Sequence, residues 1–276
     1  MTPRRHRRIA AGLLAVLLLP CAPAGAQERT LPGAPVSAAR SPPAVEKSYR
    51  RMVRAMDLFE RQRPAMAPQA TLRFKLLPRK PGVSVDDLDL NIVGRKLVVP
   101  LKVAPDRTFT LERNPQALEE NAVVTPDRVA RSMTWRAEVR SPGVPAGMRR
   151  LGDLRLECYV GMEAGLISEQ RTWVGRVVSA LTDSPAHCDT PDNRYIFFAD
   201  APLFGVTLVS GERREMLPSE RLWAGAVGDP HLREDLPLCD CEVLLDRAFF
   251  LPLGDRSWPD DTLVSFEFME ATDAPR

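Results

Sequence analysis

The hydrophobic pattern of this chain first predicts an amphipathic helix. Apolar residues recur at helical spacing, with arginine and glutamate between them, at Val45, Tyr49, Met52, Val53, Met56 and Phe59. Residues three or four apart share one face of a helix, so this pattern predicts a helix over 44–63 that buries one stripe. Pro64 lacks a backbone N–H and is expected to end this helix.

From residue 68 the period changes to two. Apolar and polar residues alternate, or short apolar runs occur, in TLRFKLL, LDLNIV, KLVVPLKV, TFTLE, MTWRAEVR, LRLECYV, YIFFA, FGVTLV, REML, CEVLLD, AFFLPL and LVSFEFM. Such alternation is typical of strands with one solvated face, and therefore of antiparallel sheets. Trp173, Val177 and Leu181 stand four apart instead, which predicts a further helix in SEQRTWVGRVVSAL, with a strand as the alternative.

An internal repeat divides the β region in two. Residues 106–111 read DRTFTL and residues 246–251 read DRAFFL, and each motif follows an apolar segment. The later copy carries an insertion from Ser219 to Leu238. We therefore predict a mainly β fold of two antiparallel β-sandwich-like modules, 68–150 and 151–272, with a leading amphipathic helix and one further helix.

The order of apolar strand, aspartate-bearing turn and Phe-x-Leu resembles small β-sandwich modules of the carboxypeptidase-regulatory or transthyretin-like kind. In those modules an Asp-x-x-Gly turn usually precedes the Phe, whereas here Arg107 and Arg247 follow the aspartates and no glycine does. The resemblance covers part of the chain and carries over no catalytic residue. It implies a folding and binding module of the sort often appended to exported proteins. The chain as a whole also resembles exported bacterial proteins, which implies no particular function.

The N-terminal residues are typical of a secretory signal. A basic run (Arg4 to Arg8) precedes an apolar run (Ile9 to Leu19), and AGA at 24–26 provides the small residues that signal peptidase recognises. The apolar run is shorter than the roughly 20 residues that span a bilayer. We expect a signal peptide at 1–26 cleaved after Ala26, a flexible lead-in at 27–43, and a periplasmic or secreted protein without a transmembrane helix.

Alternative export signals fit the same segment less well. Proline precedes Cys21, which suits lipid attachment poorly, and the residues around the paired arginines suit twin-arginine export poorly. The whole chain has 38 Lys+Arg and 36 Asp+Glu, and cleavage after Ala26 would remove four arginines. The net charge of the mature chain would then be 34 − 36 = −2. No basic block with interleaved aromatic residues survives cleavage, so nucleic acid is not an expected partner.

Four cysteines remain after signal cleavage: Cys158, Cys188, Cys239 and Cys241. An even number in an oxidising compartment predicts two disulfides, with three possible connectivities. On a strand, the Cα atoms of Cys239 and Cys241 would lie roughly 6.5–7 Å apart, at the edge of disulfide range, so this pair suits two separate partners better than a ring. The alternatives are a zinc or copper site made of the four thiolates, and a redox or free pair.

Catalytic motifs are missing from the sequence. It contains no G-x-S-x-G, H-E-x-x-H, G-x-x-x-x-G-K-[ST] or G-x-G-x-x-G, and only His187 and His231 remain after cleavage. We therefore predict no catalytic residue and no cofactor. The loop DSPAHCDTPDN, 183–193, has oxygen ligands for Ca²⁺ but also ordinary turn chemistry.

The loop GDRSWPDDT is the candidate binding surface. Its aromatic ring stands among carboxylates, at Trp258, Asp255, Asp260 and Asp261. Such a set can form a sugar platform or an acid pair for glycoside hydrolysis, or else a turn with the tryptophan as a buried plug.

The sequence thus predicts a non-catalytic exported protein, a binding or assembly module of the cell envelope whose partner is an envelope protein or a glycan. A thiol-based copper or zinc binder is the alternative, and a glycan-active enzyme comes third.

Overall fold

The structure, a computed structural model, describes residues 45–130, 132–166, 184–191, 193, 195–222 and 242–269. Within these ranges the fold is mixed α/β with several antiparallel sheets. The helices are α1 (Tyr49–Met66), α2 (Pro115–Glu119) and α3 (Leu151–Ala164). The strands are β1 (Lys47–Ser48), β2 (Thr71–Pro78), β3 (Leu90–Val93), β4 (Val98–Leu101), β5 (Thr108–Phe109), β6 (Val123–Pro126), β7 (Met133–Arg140), β8 (Met148–Arg150), β9 (Ile196–Phe198), β10 (Leu203–Ser210), β11 (Arg213–Met216), β12 (Ala248–Phe250) and β13 (Leu263–Phe268).

The described strands form four sheets in which every pairing is antiparallel, which confirms the prediction of antiparallel sheets. Their orders are β1-β6-β3-β4, β5-β2-β7, β11-β10-β13-β8 and β12-β9. The longest pairing joins β2 to β7, from Thr71 opposite Arg140 to Pro78 opposite Met133. This pairing places Lys75 directly opposite Arg136. Two cations therefore lie side by side on one face of the sheet.

Helix α1 confirms the predicted leading helix, but it spans Tyr49–Met66 rather than 44–63, so it both begins and ends later than expected. Ser48 caps its N-terminus by accepting a hydrogen bond from the Arg51 N–H. Its buried stripe includes Met52 and Phe59. The helix passes through Pro64 to Met66, so the expected end before the proline is wrong. Pro64 lies in the last turn, where its missing N–H removes only one helical hydrogen bond.

Helix α3 corrects another expectation, because it contains the segment LRLECYV that was predicted to be a strand. Thirteen of its fourteen residues are buried. Charged residues at every second position produce the misleading alternation, and each is buried with a partner. The carboxylate of Asp153 accepts from Ser141, the Arg155 guanidinium donates to Asp260, and Glu157 accepts from Arg149.

A glycine lets α3 begin close to the end of α1. A Cβ added to Gly152 would come closer than 3.0 Å to the backbone oxygen of Met66. The Gly152 N–H also donates to the Asp260 carbonyl. Helix α3 packs against α1, the leading helix, and against β7, which belongs to the first predicted module. The described residues from 45 to 269 belong to one compact unit. The division into modules near residue 150 stays a prediction.

The two copies of the internal repeat share a buried phenylalanine but differ before it. Phe109 lies in β5 after a turn in which Arg107 has a φ of 63°. Phe249 lies in β12 after a 3₁₀ turn at Glu242–Arg247. The predicted strand CEVLLD is therefore wrong from Glu242 onward. The predicted helix in SEQRTWVGRVVSAL lies outside the described residues.

Candidate ligand-binding cleft

One predicted disulfide is present between Cys158 of α3 and Cys188, with 6.1 Å between their Cα atoms. It ties α3 to the 3₁₀ turn Pro185–Asp189. Cys239 and Cys241 lie outside the described residues. A four-thiolate metal site would require this disulfide to be reduced. In the described part of the chain, no three His, Cys, Asp or Glu side chains are grouped so that they could hold a metal ion.

The predicted binding loop around Trp258 is a packed turn in the structure. The Trp258 ring is only 1% exposed, and the Arg213 guanidinium covers it, with Cζ 3.5 Å from the ring centroid. The Asp255 carboxylate accepts hydrogen bonds within its own turn, from Ser257, and these lower the pKa of Asp255. A binding surface here stays a prediction, although the ring face that a sugar would need is covered.

The other carboxylates of this loop serve different roles. Asp260 lies 2.6 Å from the Arg155 guanidinium, which is almost fully buried, and so compensates a charge inside the protein. Asp261 is exposed. In the other predicted loop, the Asp189 carboxylate accepts from the Tyr159 hydroxyl and pairs with Arg256. Burial is the largest factor that raises the pKa of Tyr159 to about 12.

A cleft lies on the polar face of β7, where the sequence predicts solvent. Thr134 and Arg136 on this face are buried, so the expectation of a solvated face is wrong. The cause is the segment from Tyr195 to Asp200, which packs over this face. We call the space between them the Arg136 cleft; it is lined by Lys75, Leu77, Arg136, Ala137, Glu138, Arg140, Arg149, Glu157, Tyr195, Ile196, Phe197, Phe198 and Asp200.

Charges in the Arg136 cleft are nearly but not fully balanced. Four cationic and three anionic side chains line it. Lys75 lies 2.5 Å from Asp200, and Arg140 lies 3.2 Å from Glu138. Burial raises the pKa of Asp200, but the hydrogen bond and charge of Lys75, with the nearby arginines, outweigh it and hold that pKa below its usual range. The cleft therefore retains about one positive charge.

The lining of the cleft includes a buried ion pair that also bonds to the backbone of β7. The Arg149 guanidinium donates to the Glu157 carboxylate at 2.7 Å and to the Val139 carbonyl at 2.6 Å. Glu157 also accepts from the Val139 N–H. Burial lowers the pKa of Arg149, but Glu157 outweighs that effect and raises it. Both charges are compensated inside the protein, so neither accounts for the surplus.

Arg136 carries the surplus charge. Its side chain is buried, with 7% exposure, and no carboxylate of the described residues lies within ion-pair distance. Its guanidinium lies over the rings of Tyr195 and Phe198, with Cζ 5.8 and 5.3 Å from their centroids. One Nη1–H donates to the Ile196 carbonyl, and Nε–H has no acceptor. Ring faces stabilise a cation only in part, and a buried charge without a counterion is costly.

The Tyr195 hydroxyl is a second donor without an acceptor. It is buried and makes no hydrogen bond within the described structure. Burial raises the pKa of Tyr195 to about 12, although the neighbouring Arg136 charge lowers it. The phenol therefore keeps its proton at neutral pH. The hydroxyl lies against Gly161 of α3, where an added Cβ would come closer than 3.0 Å to it, and it is near enough to Arg136 for that guanidinium to lower its pKa.

A groove lined by aromatic rings continues from the Arg136 cleft. We call it the aromatic groove and define it by Phe198, Phe249, Phe266 and Phe268. The rings of Phe249 and Phe266 are in contact, with centroids 5.1 Å apart. The groove encloses about 150 Å³, and Arg140, Arg149, Phe198 and Asp200 belong to both its lining and that of the cleft. Charged and apolar surfaces thus adjoin.

Sequence reasoning did not find this cleft, although it predicted β2, β7 and β9 as strands. The charged face of β7 looked like an ordinary solvated face. One feature could have indicated the cleft: Lys75 lies opposite Arg136, so two cations are neighbours. This is visible only when the register between β2 and β7 is known. The covering segment is about 60 residues further along the chain.

Comparisons with protein-family models, curated proteins and solved structures found no match. The resemblance to carboxypeptidase-regulatory or transthyretin-like modules thus stays a prediction. Among the residues that the structure describes, no helix is both long enough and apolar enough to cross a membrane. The geometry of the cleft is the observation that bears on function.

Proposed function

We propose that this chain is a non-catalytic exported protein, a binding module of the cell envelope that captures its ligand in the Arg136 cleft. The observation that carries this proposal is the buried guanidinium of Arg136, which has no carboxylate partner within the described residues. A buried unpaired cation lowers stability. Such a group is expected where a ligand supplies the missing anion.

The chemistry of the lining supports binding rather than catalysis. The described residues that line the cleft include no serine, threonine, cysteine or histidine, which are the usual nucleophiles and general bases of hydrolases. Of its carboxylates, Glu157 is paired with Arg149, and Glu138 and Asp200 lie beside Lys75 and Arg140. Each carboxylate of the lining thus already has a cationic neighbour.

Export to the envelope is part of the same proposal. It rests on the signal pattern at 1–26 and is supported by the disulfide between Cys158 and Cys188, which persists in oxidising compartments. Protein recovered from the periplasm should begin at Gln27. An N-terminal sequence that retains the first 26 residues in the recovered protein would contradict cleavage.

Thermal-shift screening tests the binding proposal. Anything that binds the native state and not the unfolded chain raises the melting temperature. Envelope-derived carboxylates, phosphates, peptides and sugars would be screened against the wild type and the Ala201→Trp variant, whose indole would fill the aromatic groove. We expect stabilising ligands to lose their effect in this variant. Ligands that stabilise both proteins equally would place binding elsewhere.

A hydrolytic screen with Asp261→Asn separates the enzyme alternative. Asp261 is exposed, so this change should not disturb folding. Glycan hydrolysis by the wild type that disappears in Asp261→Asn would favour the glycan-active alternative over a binding module.

A further inference from the structure

The charge, size and surroundings of the Arg136 cleft define the class of ligand. We propose that the cleft binds a monocarboxylate with an apolar tail. This inference rests on the proposed function. Its carboxylate accepts hydrogen bonds from the Arg136 guanidinium and the Tyr195 hydroxyl, and its tail lies in the aromatic groove.

The number of donors without acceptors supports an oxyanion. A guanidinium has five N–H donors, and within the described residues that of Arg136 donates only to the Ile196 carbonyl. The Tyr195 hydroxyl adds another donor without an acceptor. The phenol oxygen could itself accept from the guanidinium, but a carboxylate can accept from both groups and also supplies the missing negative charge.

The charge balance selects a monoanion. The four cations and three carboxylates of the lining leave one positive charge, which one carboxylate neutralises. A dianion would exceed this surplus and face Glu138 and Asp200, both of which line the cleft. Like charges in the same lining disfavour the binding of a dianion. A neutral ligand would leave Arg136 uncompensated.

The space available also fits a small head group. The Arg136 cleft encloses about 30 Å³, roughly the room for two water molecules, which suits the two oxygens of a carboxylate. The adjoining aromatic groove encloses about 150 Å³. Its lining is rich in phenylalanine, which favours a hydrocarbon tail over a sugar or a peptide backbone.

Calorimetric titration with octanoate tests this inference. We expect one octanoate to bind per protein, with affinity rising about fourfold for each methylene added from butyrate to octanoate. Acetate lacks the tail, 1-octanol lacks the charge and octyl phosphate adds a second charge, so all three should bind at least tenfold more weakly. Equal binding of 1-octanol, or tighter binding of octyl phosphate, would overturn the inference.

The variant Arg136→Gln isolates the guanidinium. Loss of a hydrogen bond to a charged group lowers affinity by about tenfold to a hundredfold, so octanoate binding should fall by that factor. Arg73→Gln is the matched control, because Arg73 lies on β2, is exposed and pairs with Asp106 outside the cleft. Octanoate affinity in Arg136→Gln equal to that of the wild type would overturn the inference.

Stability distinguishes a binding role from a structural one. If Arg136 awaits a ligand, Arg136→Gln should unfold at the same or a higher urea concentration than the wild type without ligand, since it removes a buried unpaired charge. A lower urea midpoint would show that Arg136 supports the fold instead. A final outcome is that octanoate fails to bind while other ligands stabilise the wild type but not Ala201→Trp. In that case the proposed ligand class is wrong and the proposed function stands.

Discussion

Replacing Glu157 by glutamine removes one charge of the buried ion pair in the lining of the cleft. Arg149 and Glu157 have side chains that are 7% and 10% exposed, with 2.7 Å between their donor and acceptor atoms. After Glu157→Gln, Arg149 keeps the Val139 carbonyl as an acceptor but has no counterion. Breaking a buried pair on one side costs about 3–5 kcal/mol. Glutamine can still accept from Arg149, so we expect a loss of about 3 kcal/mol.

Helix α3 offers a matched control for this variant. Glu163 pairs with Arg54 at 2.9 Å, but their side chains are 27% and 56% exposed. Exposed pairs contribute about 0.2–1 kcal/mol, so Glu163→Gln should cost less than 1 kcal/mol. The same substitution on the same helix thus tests burial alone.

Urea unfolding at neutral pH measures both changes. With an m-value of about 3 kcal/mol/M, a loss of 3 kcal/mol lowers the midpoint by about 1 M. The slope should not change, because the surface exposed on unfolding is the same. A midpoint for Glu157→Gln no lower than that for Glu163→Gln would refute the reasoning that this pair is buried and energetically linked.

Three further predictions concern packing, the disulfide and tyrosine ionisation. Gly152→Ala should lower stability by about 1–3 kcal/mol, because its Cβ would press on the Met66 carbonyl. The double variant Cys158→Ala/Cys188→Ala should lose about 3–4 kcal/mol in the chain-entropy model, since the disulfide closes a loop with a sequence separation of 30. Absorbance at 295 nm should show two tyrosines ionising near pH 12, since burial raises the pKa of Tyr159 and Tyr195 to about 12.

Each of these predictions has a clear contrary result. Gly205→Ala places its Cβ at ordinary contact distance from Glu267, so a loss as large as that of Gly152→Ala would refute the steric argument. A double cysteine variant that unfolds at the wild-type midpoint would show that the loop is ordered without the bond. The raised tyrosine pKa values predict stability that is complete below pH 10 and is lost as pH rises toward 12. Normal ionisation near pH 10 in folded protein would contradict the burial of both hydroxyls.

Much of the β structure could be predicted because its pattern is local. In β2 and β7 one face packs on the aromatic core, where Phe109 meets Phe74 and Trp135, and the alternation records that burial directly. The leading helix shows its stripe in the same way. Both patterns depend on the contrast between one buried face and one polar face.

Helix α3 and the cleft could not be predicted because in both cases charged residues are buried. Asp153, Arg155 and Glu157 look like a solvated strand face. In the fold Arg155 and Glu157 are paired with opposite charges, and Asp153 accepts hydrogen bonds from Ser141. Arg136 likewise looks solvated until the segment after Tyr195 covers it. When the partners of polar residues are distant in sequence, a local pattern that predicts a solvated face can belong to a buried one.

The most direct test of the central claim is a ¹H–¹⁵N chemical-shift titration of the wild type and Arg136→Gln with octanoate. Binding in the Arg136 cleft predicts shifts concentrated in the amides of β7, of the segment from Tyr195 to Ala201 and of β13, and predicts that these shifts vanish in the variant. Shifts centred elsewhere, or unchanged in Arg136→Gln, would contradict the claim that this buried arginine captures the ligand.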